Sequence, residues 1–387
     1  MLHLFIKGKN PELSSAELRS MVNGKLVDST DSFDVYEIEK PPAAAQLGGT
    51  LKIAAVKAEI PAGSDAGELE AAAGRAIPEN TPKKMLFGVS VYPLKLPAYR
   101  TQKAVGMAVK HALKEKGTKA AFMGFPKQRI VPELTNVEVI KRGLVKDGFE
   151  LLVCESETRI YFALTTDVHD PFEFQKRDTG RPVQRTIFSI PPRLARTMVN
   201  LALEGRNGTL LDPFCGIGTI LQEAALGGAD IRGTDIDAEA IKGCLTNLKW
   251  LEKENTLEIE EPEKKMFRWD AAELFKVFAN GSIDAIATEP YLGPPLKKPP
   301  EEQEAEKLVN ELTAFYEKML PSIRDTLKPG GKMAIVIPAI RTAEGGEMAV
   351  DARALAEKNG MEILGIYKDA EPRHLTVRLI TVLKKSA

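Results

Sequence analysis

Three short stretches of this chain hold the residue types that act on a ligand. In the first, the apolar run Thr209-Leu210-Leu211 stops at Asp212-Pro213, passes through Phe214-Cys215-Gly216-Ile217-Gly218 and enters Thr219-Ile220-Leu221-Gln222-Glu223-Ala224-Ala225 with helical spacing. That is a strand, a glycine turn and a helix start. Glycines let the backbone approach a ligand closely, and free amides at a helix start favour electron-rich groups, so the turn suits a nucleotide. A dinucleotide fingerprint needs a third glycine where this chain has Leu221, which disfavours NAD. In the second stretch, Ala229 to Thr234 reads as the next strand and ends in Asp235-Ile236-Asp237. A carboxylate there, about 20 residues past the glycine turn, is placed to accept hydrogen bonds from ribose hydroxyls. Asp235 is the choice for that role; its competing job is the N-cap of the helix from Ala238, which Asp237 can fill instead. The third stretch, Glu289-Pro290-Tyr291, follows the buried-looking strand Ile283 to Ala287, at the carboxyl end, where ligands of open α/β sheets sit.

With Asp212-Pro213-Phe214 ahead of its glycines, the first stretch resembles the S-adenosylmethionine loop of class I methyltransferases that act on exocyclic amines. The resemblance implies that cofactor, with Asp212, Phe214, Cys215, Gly216, Gly218 and Thr219 around it and Asp235 and Ile236 at its ribose. Asp270 and Ala271, after the strand pattern Phe267-Arg268-Trp269, are expected at the adenine; the alternative for Asp270 is the N-cap of a helix over 271–278. The family carries Asp or Asn, Pro, Pro and an aromatic after its fourth strand. An exocyclic amine is a poor nucleophile because its lone pair is delocalised into the ring. Hydrogen bonds from it to a side-chain oxygen and a backbone carbonyl localise that pair toward the methyl donor, while the aromatic stacks on the flipped base. Here Glu289 falls at the acidic position and Pro290 follows it, but the second proline is missing. Tyr291 either takes its place or the turn is one residue shorter.

Composition excludes several other classes. Of the 387 residues, 43% are hydrophobic and 28% charged, as in an ordinary globular protein, and no apolar run approaches the ~20 residues of a membrane span. The N-terminus, Met1 to Lys7, does not read as a signal peptide, which places the protein in the cytoplasm. Cys154, Cys215 and Cys244 lie far apart, and the four histidines form no ligand-spaced cluster, so neither a metal nor a disulfide framework is expected. Cys215 reads as a small buried side chain lining the turn rather than a nucleophile.

The net charge of −1 hides an asymmetry: between Thr81 and Ile130 stand eleven Lys or Arg against one acid, Glu115. Such a block is the footprint expected for binding a phosphate backbone, with Lys84, Arg100, Lys103, Lys110, Lys127 and Arg129 as candidate RNA contacts. Over 102–116, Val105, Val109, Ala112 and Leu113 fall on one helical face and Lys103, Lys110 and Lys114 on the other. A merely solvated charged face is the alternative, but such faces usually mix signs.

These readings organise the chain. Residues 1–62 show a β-α-β-α-β pattern expected to form a small ferredoxin-like domain. Residues 63–166 resemble in size, order and charge a THUMP domain, an RNA-binding module joined to RNA-modifying enzymes. The polar segment 167–186 reads as a linker, and 187–387 as a Rossmann-like α/β methyltransferase domain with a doubly wound, seven-stranded sheet closed by the hairpin of 362–367 and 376–383. Arg177-Asp178-Thr179-Gly180-Arg181-Pro182 followed by the helix that opens at Pro191-Pro192 extends the resemblance to THUMP-containing tRNA guanosine-10 N2-methyltransferases along nearly the whole chain. The activity implied is methyl transfer to guanine N2 of tRNA, at position 10. The alternatives are another tRNA guanosine or ribosomal RNA, and an RNA-binding protein whose methyltransferase domain is inactive. Nothing in the sequence calls for a partner protein.

Overall fold

A computed structural model describes residues 1–123, 132–184 and 189–386, and the chain divides into two compact units, Met1–Glu173 and Phe174–Ala387.

The first unit is an α/β layer built on one sheet. Its strands are β1 (Leu2–Lys7), β2 (Lys25–Ser29), β3 (Phe33–Glu37), β4 (Thr50–Pro61), β5 (Lys84–Tyr92), β6 (Lys119–Phe122), β7 (Phe149–Glu155) and β8 (Arg159–Val168), in the spatial order β2-β3-β1-β4-β8-β7-β5-β6. Helices α1 (Pro11–Met21), α2 (Ala66–Arg75), α3 (Ala98–Glu115) and α4 (Asn136–Lys141) accompany them. The sheet runs straight through the boundary expected at 62/63. β4 pairs antiparallel with β8 from Lys52 opposite Val168 to Pro61 opposite Arg159. A buried network fastens that join: Lys52 Nζ lies 2.5 Å from Glu150 Oε1 of β7, and Thr165 Oγ1 of β8 donates to Glu150 Oε2 at 2.8 Å. An ion pair stripped of water is tolerated only with such added hydrogen bonds, and breaking it would strand a buried charge. Two local readings also change. The second helix of the β-α-β-α-β pattern is only the single 3-10 turn Ala44–Gln46, and β2 is an additional edge strand, with Leu26 and Val27 exposed.

The segment expected as a linker, 167–186, contains the end of β8 and a helix, α5 (Pro171–Thr179), and the division between the units falls inside it.

The second unit alternates strand and helix. Its elements are α6 (Pro192–Leu203), β9 (Thr209–Asp212), α7 (Thr219–Leu226), β10 (Asp230–Asp235), α8 (Ala238–Asn255), β11 (Met266–Arg268), β12 (Ile283–Thr288), α9 (Glu302–Thr326), β13 (Leu327–Arg341), β14 (Glu347–Ala349), α10 (Ala352–Lys358), β15 (Met361–Asp369) and β16 (Thr376–Lys385). The sheet order β11-β10-β9-β12-β13-β16-β15 is the doubly wound, seven-stranded arrangement expected, with β14 added against β13. The pairings from β11 through β13 are parallel, whereas β16 runs antiparallel to both β13 and β15. The middles of β9, β12 and β13, at Leu210–Leu211, Ala285–Ala287 and Met333–Ile337, are apolar and buried because helices cover both faces of a parallel sheet. Strand order reverses between β9 and β12, and the crevice beyond their carboxyl ends is where such sheets bind ligands.

Among the described residues, no helix is long and apolar enough to cross a membrane, and no group of three or more His, Cys, Asp or Glu is placed to hold a metal.

Candidate active site

The glycine turn leaves β9 at Asp212 and enters α7 through two left-handed residues, Gly216 (φ 53°) and Gly218 (φ 87°). A Cβ on Gly216 would meet nothing within 4 Å, so its backbone borders open space that a ligand can enter. A Cβ on Gly218 would meet Cys244 Sγ at 2.7 Å, because α8 packs directly against the turn. Gly218 N donates to Cys215 O at 2.8 Å, closing the loop on itself. The Cys215 thiol is pushed well above its ordinary value, first by its hydrogen bond with Cys244 and then by burial. It therefore stays protonated and packs, as the sequence suggests, rather than attacking.

The two aspartates at the end of β10 divide their jobs. Asp237 caps α8, accepting from Glu239 N at 2.9 Å. Asp235 accepts from Gly216 N and Asp237 N, both at 2.9 Å, one on each oxygen. Each carboxylate oxygen has a further lone pair, so Asp235 keeps capacity for hydroxyl donors while fixing the turn. Ile236, beside it, is exposed. Asp270 accepts from Ala272 N at 2.9 Å and so performs the capping job foreseen as its alternative, here for a 3-10 helix over Ala271–Lys276; Ala271 is buried.

A cleft of about 200 Å³ opens above the reversal point, lined by Ser189, Ile190, Asp212, Phe214, Cys215, Gly216, Ile217, Thr219, Ile220 and Glu289. It joins the glycine turn to the acid at the end of β12. Asp235, Ile236, Asp270, Ala271, Pro290 and Tyr291 do not line it. Tyr291 is 54% exposed, with its ring edge-on to Phe315 at 6.2 Å. Phe315 also lies 5.9 Å from Phe214 of the turn, so an aromatic row runs from the cleft to an exposed ring able to stack on a base.

Electrostatically the cleft is built around buried acids. Asp212 is 1% exposed and accepts from Thr288 Oγ1 at 2.7 Å and Phe214 N at 3.1 Å. Burial raises its carboxyl from 3.8 to about 7, the two hydrogen bonds opposing that rise and Asp235 and Glu289 adding to it. A folded-state value above the unfolded one adds stability below about pH 4 that is lost as pH climbs through 7. The unliganded protein is therefore expected to melt at a lower temperature at pH 8 than at pH 5. Asp212→Asn, which keeps an acceptor for Phe214 and Thr288, should flatten the difference, worth no more than ~4 kcal/mol at full ionisation. Thermal unfolding at the two pH values checks this.

The Glu289 side chain is about nine-tenths buried, and Arg378 Nε of β16 donates to its Oε1 at 2.6 Å. Burial raises the Glu289 carboxyl and Arg378 opposes it. Tyr316 of α9 donates to Val336 O at 3.0 Å and to Tyr291 O at 3.4 Å, holding the backbone after Glu289. Thr288, Tyr316 and Arg378 went unread in the sequence; the available signal was one charge inside the apolar run Val377 to Leu383. Asn247 escaped as well, and Arg181, part of the Arg177 to Pro182 stretch, was given no role of its own. Arg181, 3% exposed, donates from Nη1 to Thr219 Oγ1 at 2.6 Å and from Nη2 to Ser189 Oγ at 2.8 Å, while its Nε has no partner among the described residues. Asn247 ties the glycine loop to the segment before it, donating to Ile217 O and Val183 O at 3.0 Å.

These features fit S-adenosylmethionine: open space at Gly216, a carboxylate with spare acceptor capacity at Asp235, and an orphaned guanidinium nitrogen behind Thr219.

In the first unit, α3 buries Val105, Val109 and Leu113 and exposes Arg100, Lys103 and Lys110. Lys84 lies elsewhere, in a groove of about 540 Å³ on the β5–β6 edge with Lys119, Arg142 and Asp147. Lys127 and Arg129 fall outside the described residues.

Residues 182–362 match the family UPF0020, the RMKL-like methyltransferase domain. The chain is similar to a tRNA (guanine(10)-N2)-dimethyltransferase of Pyrococcus abyssi, 31% identical over 246 residues that cover 61% of this chain and 65% of that one. It is also similar to a protein of the same name from Methanocaldococcus jannaschii, 31% identical over 259 residues covering 66% and 62%. The chain thus spans somewhat less than two thirds of either relative. Its fold is shared with TrmN from Thermus thermophilus, at a TM-score of 0.55 and 18% identity over 100% of both chains. The family match thus falls wholly within the second unit, Phe174–Ala387.

Proposed function

We propose that this protein is an S-adenosylmethionine-dependent methyltransferase acting in the cytoplasm on the exocyclic N2 of a guanosine in tRNA, with position 10 the favoured site. The observation that carries the reading is the single cleft in which the glycine turn and Glu289 meet. The names of the two archaeal relatives support the choice of tRNA and of guanine N2.

The cofactor supplies an electrophilic methyl group. Asp235 holds its ribose, the turn from Phe214 to Thr219 holds its remainder, and Asp270 and Ala271 close the adenine end. Glu289 accepts a hydrogen bond from the guanine amine, concentrating the nitrogen lone pair toward the methyl, while the exposed ring of Tyr291 stacks on the flipped base. Pro290 stiffens the turn between them. RNA is held by the region that resembles a THUMP domain, through Lys84, Arg100, Lys103, Lys110, Lys127 and Arg129. Loss of activity with retained RNA binding is the reading that the unusual Glu-Pro-Tyr favours; intact Asp212, Gly216, Gly218 and Asp235 oppose it.

Incubation with unmodified tRNA and methyl-labelled S-adenosylmethionine is expected to label the tRNA at one guanosine, identified by nuclease mapping. A tRNA that lacks guanosine at position 10 should stay unlabelled, and its labelling would overturn the position. Reversing Lys103 and Lys110 to Glu should weaken tRNA binding and reduce the slope of log affinity against log salt by about 2. An unchanged slope would remove α3 from the RNA surface.

A further inference from the structure

The acid after β12 is one methylene longer than the Asp or Asn of the methyltransferases it resembles, and its extra reach brings it to a partner. Glu289 reaches back across the sheet to β16, where Arg378 Nε meets its Oε1 at 2.6 Å with both side chains about nine-tenths buried. No described residue donates to the second oxygen, Oε2. The neighbours that face this carboxylate are otherwise unfavourable to its charge. Asp369 of β15 stands directly opposite Arg378 in the strand pairing, Asp212 lies across the same cleft, and Tyr316 packs beneath with an un-ionised phenol. Among the described residues, Arg378 is thus the cation that opposes burial at Glu289.

We propose that Arg378 is the positioning residue of the reaction: it holds Glu289 ionised and turned so that Oε1 is spent on the guanidinium and Oε2 remains to accept the substrate amine. The inference rests on the proposed methyl transfer to an amine, because a charged carboxylate accepts from the amine more strongly than a carboxylic acid does and so localises its lone pair better. Burial alone favours the neutral acid, a weaker acceptor with one oxygen turned donor. A shorter aspartate at position 289 would lie about one carbon–carbon bond farther from Arg378, so acid and arginine form a matched pair. Arginine suits the place because it stays charged when buried, and its planar fork limits the orientations the carboxylate can adopt.

Arg378→Gln tests the assignment. The acidic limb of the kcat–pH profile should move upward by at least ~1 unit, so that turnover on that limb drops by about 10-fold and recovers at higher pH. S-adenosylmethionine affinity, read by calorimetry, should stay within ~3-fold of the parent. Arg378→Lys, which restores a cation, should return the limb most of the way. The profiles are compared in an Asp212→Asn background so that the titration of Asp212 does not contribute. A uniform loss at every pH, or an unmoved limb, would overturn the proposal. A second readout needs no activity: carbon NMR titration of the side-chain carboxyls, with the Glu289 signal identified by its loss in Glu289→Gln. The Glu289 titration should rise in Arg378→Gln, and if it does not the proposal fails even where the enzyme turns over. If the parent protein labels no tRNA, the methyl-transfer reading fails by itself, and the NMR result still decides whether Arg378 keeps Glu289 charged.

Discussion

Glu289→Ala is expected to lower kcat for methyl transfer by at least ~10³-fold while S-adenosylmethionine binds within about threefold of the parent affinity. The split follows from where the residue stands. Glu289 enters the cleft from β12, opposite the glycine turn, and it makes none of the hydrogen bonds that shape that turn. The alanine variant also strands Arg378 in the interior, a loss worth several kcal/mol in buried pairs, so its melting temperature must be recorded beside its rate. Glu289→Gln preserves shape and supplies the control: it should bind cofactor and tRNA, fold, and turn over below the parent but above Glu289→Ala, because it keeps a neutral acceptor. If cofactor affinity collapses together with kcat in Glu289→Gln, the residue belongs to the cofactor site and its role in activating the amine is wrong.

Gly218→Ala is expected to be nearly as damaging, through cofactor binding rather than chemistry. Two separate costs arise there. A Cβ would meet Cys244 Sγ at 2.7 Å, and the residue sits at φ 87°, where a side chain costs about 1–2 kcal/mol of backbone strain. Together they should destabilise the turn by ~3 kcal/mol and weaken S-adenosylmethionine binding at least ~10-fold. The costs separate in a double-mutant cycle. Cys244→Ala removes the sulfur and leaves the next atoms at 3.5 Å, an ordinary contact. The double variant should recover the packing part of the loss and retain the strain part. Full additivity of the two substitutions would show that the turn relaxes away from α8, contrary to the geometry.

What could be read from the chain depended on how local the determinant was. The strand, turn and helix over 209–225 specify themselves, because apolar run, glycines and helical spacing lie within about five turns' length of one another. The contest between Asp235 and Asp237 was legible as a contest, and the structure assigns the cap to Asp237 because only its carboxylate reaches Glu239 N. The hairpin of β15 and β16 was equally legible from two apolar strands separated by a polar break. The union of the first unit's strands was not. β4 and β8 are about a hundred positions apart, and nothing in either strand announces its partner; the buried lysine at 52 finds its counter-charge only in the folded sheet. Arg378 was hidden for the same reason: its meaning depends on Glu289, 89 positions earlier. The edge strand β2 escaped because its apolar side chains, Leu26 and Val27, point to solvent and leave no alternation to detect.

The short hydrogen bond between Thr288 and Asp212 spans 76 positions of sequence and joins the ends of the two central strands at 2.7 Å in the interior. Mechanically it makes the glycine turn and the acid-bearing end of β12 parts of one rigid anvil. Neither loop can slide without breaking a buried bond, so the spacing between them is set before any ligand arrives. On the proposed function, the choice among substrates then falls to docking, because the seat itself does not adjust.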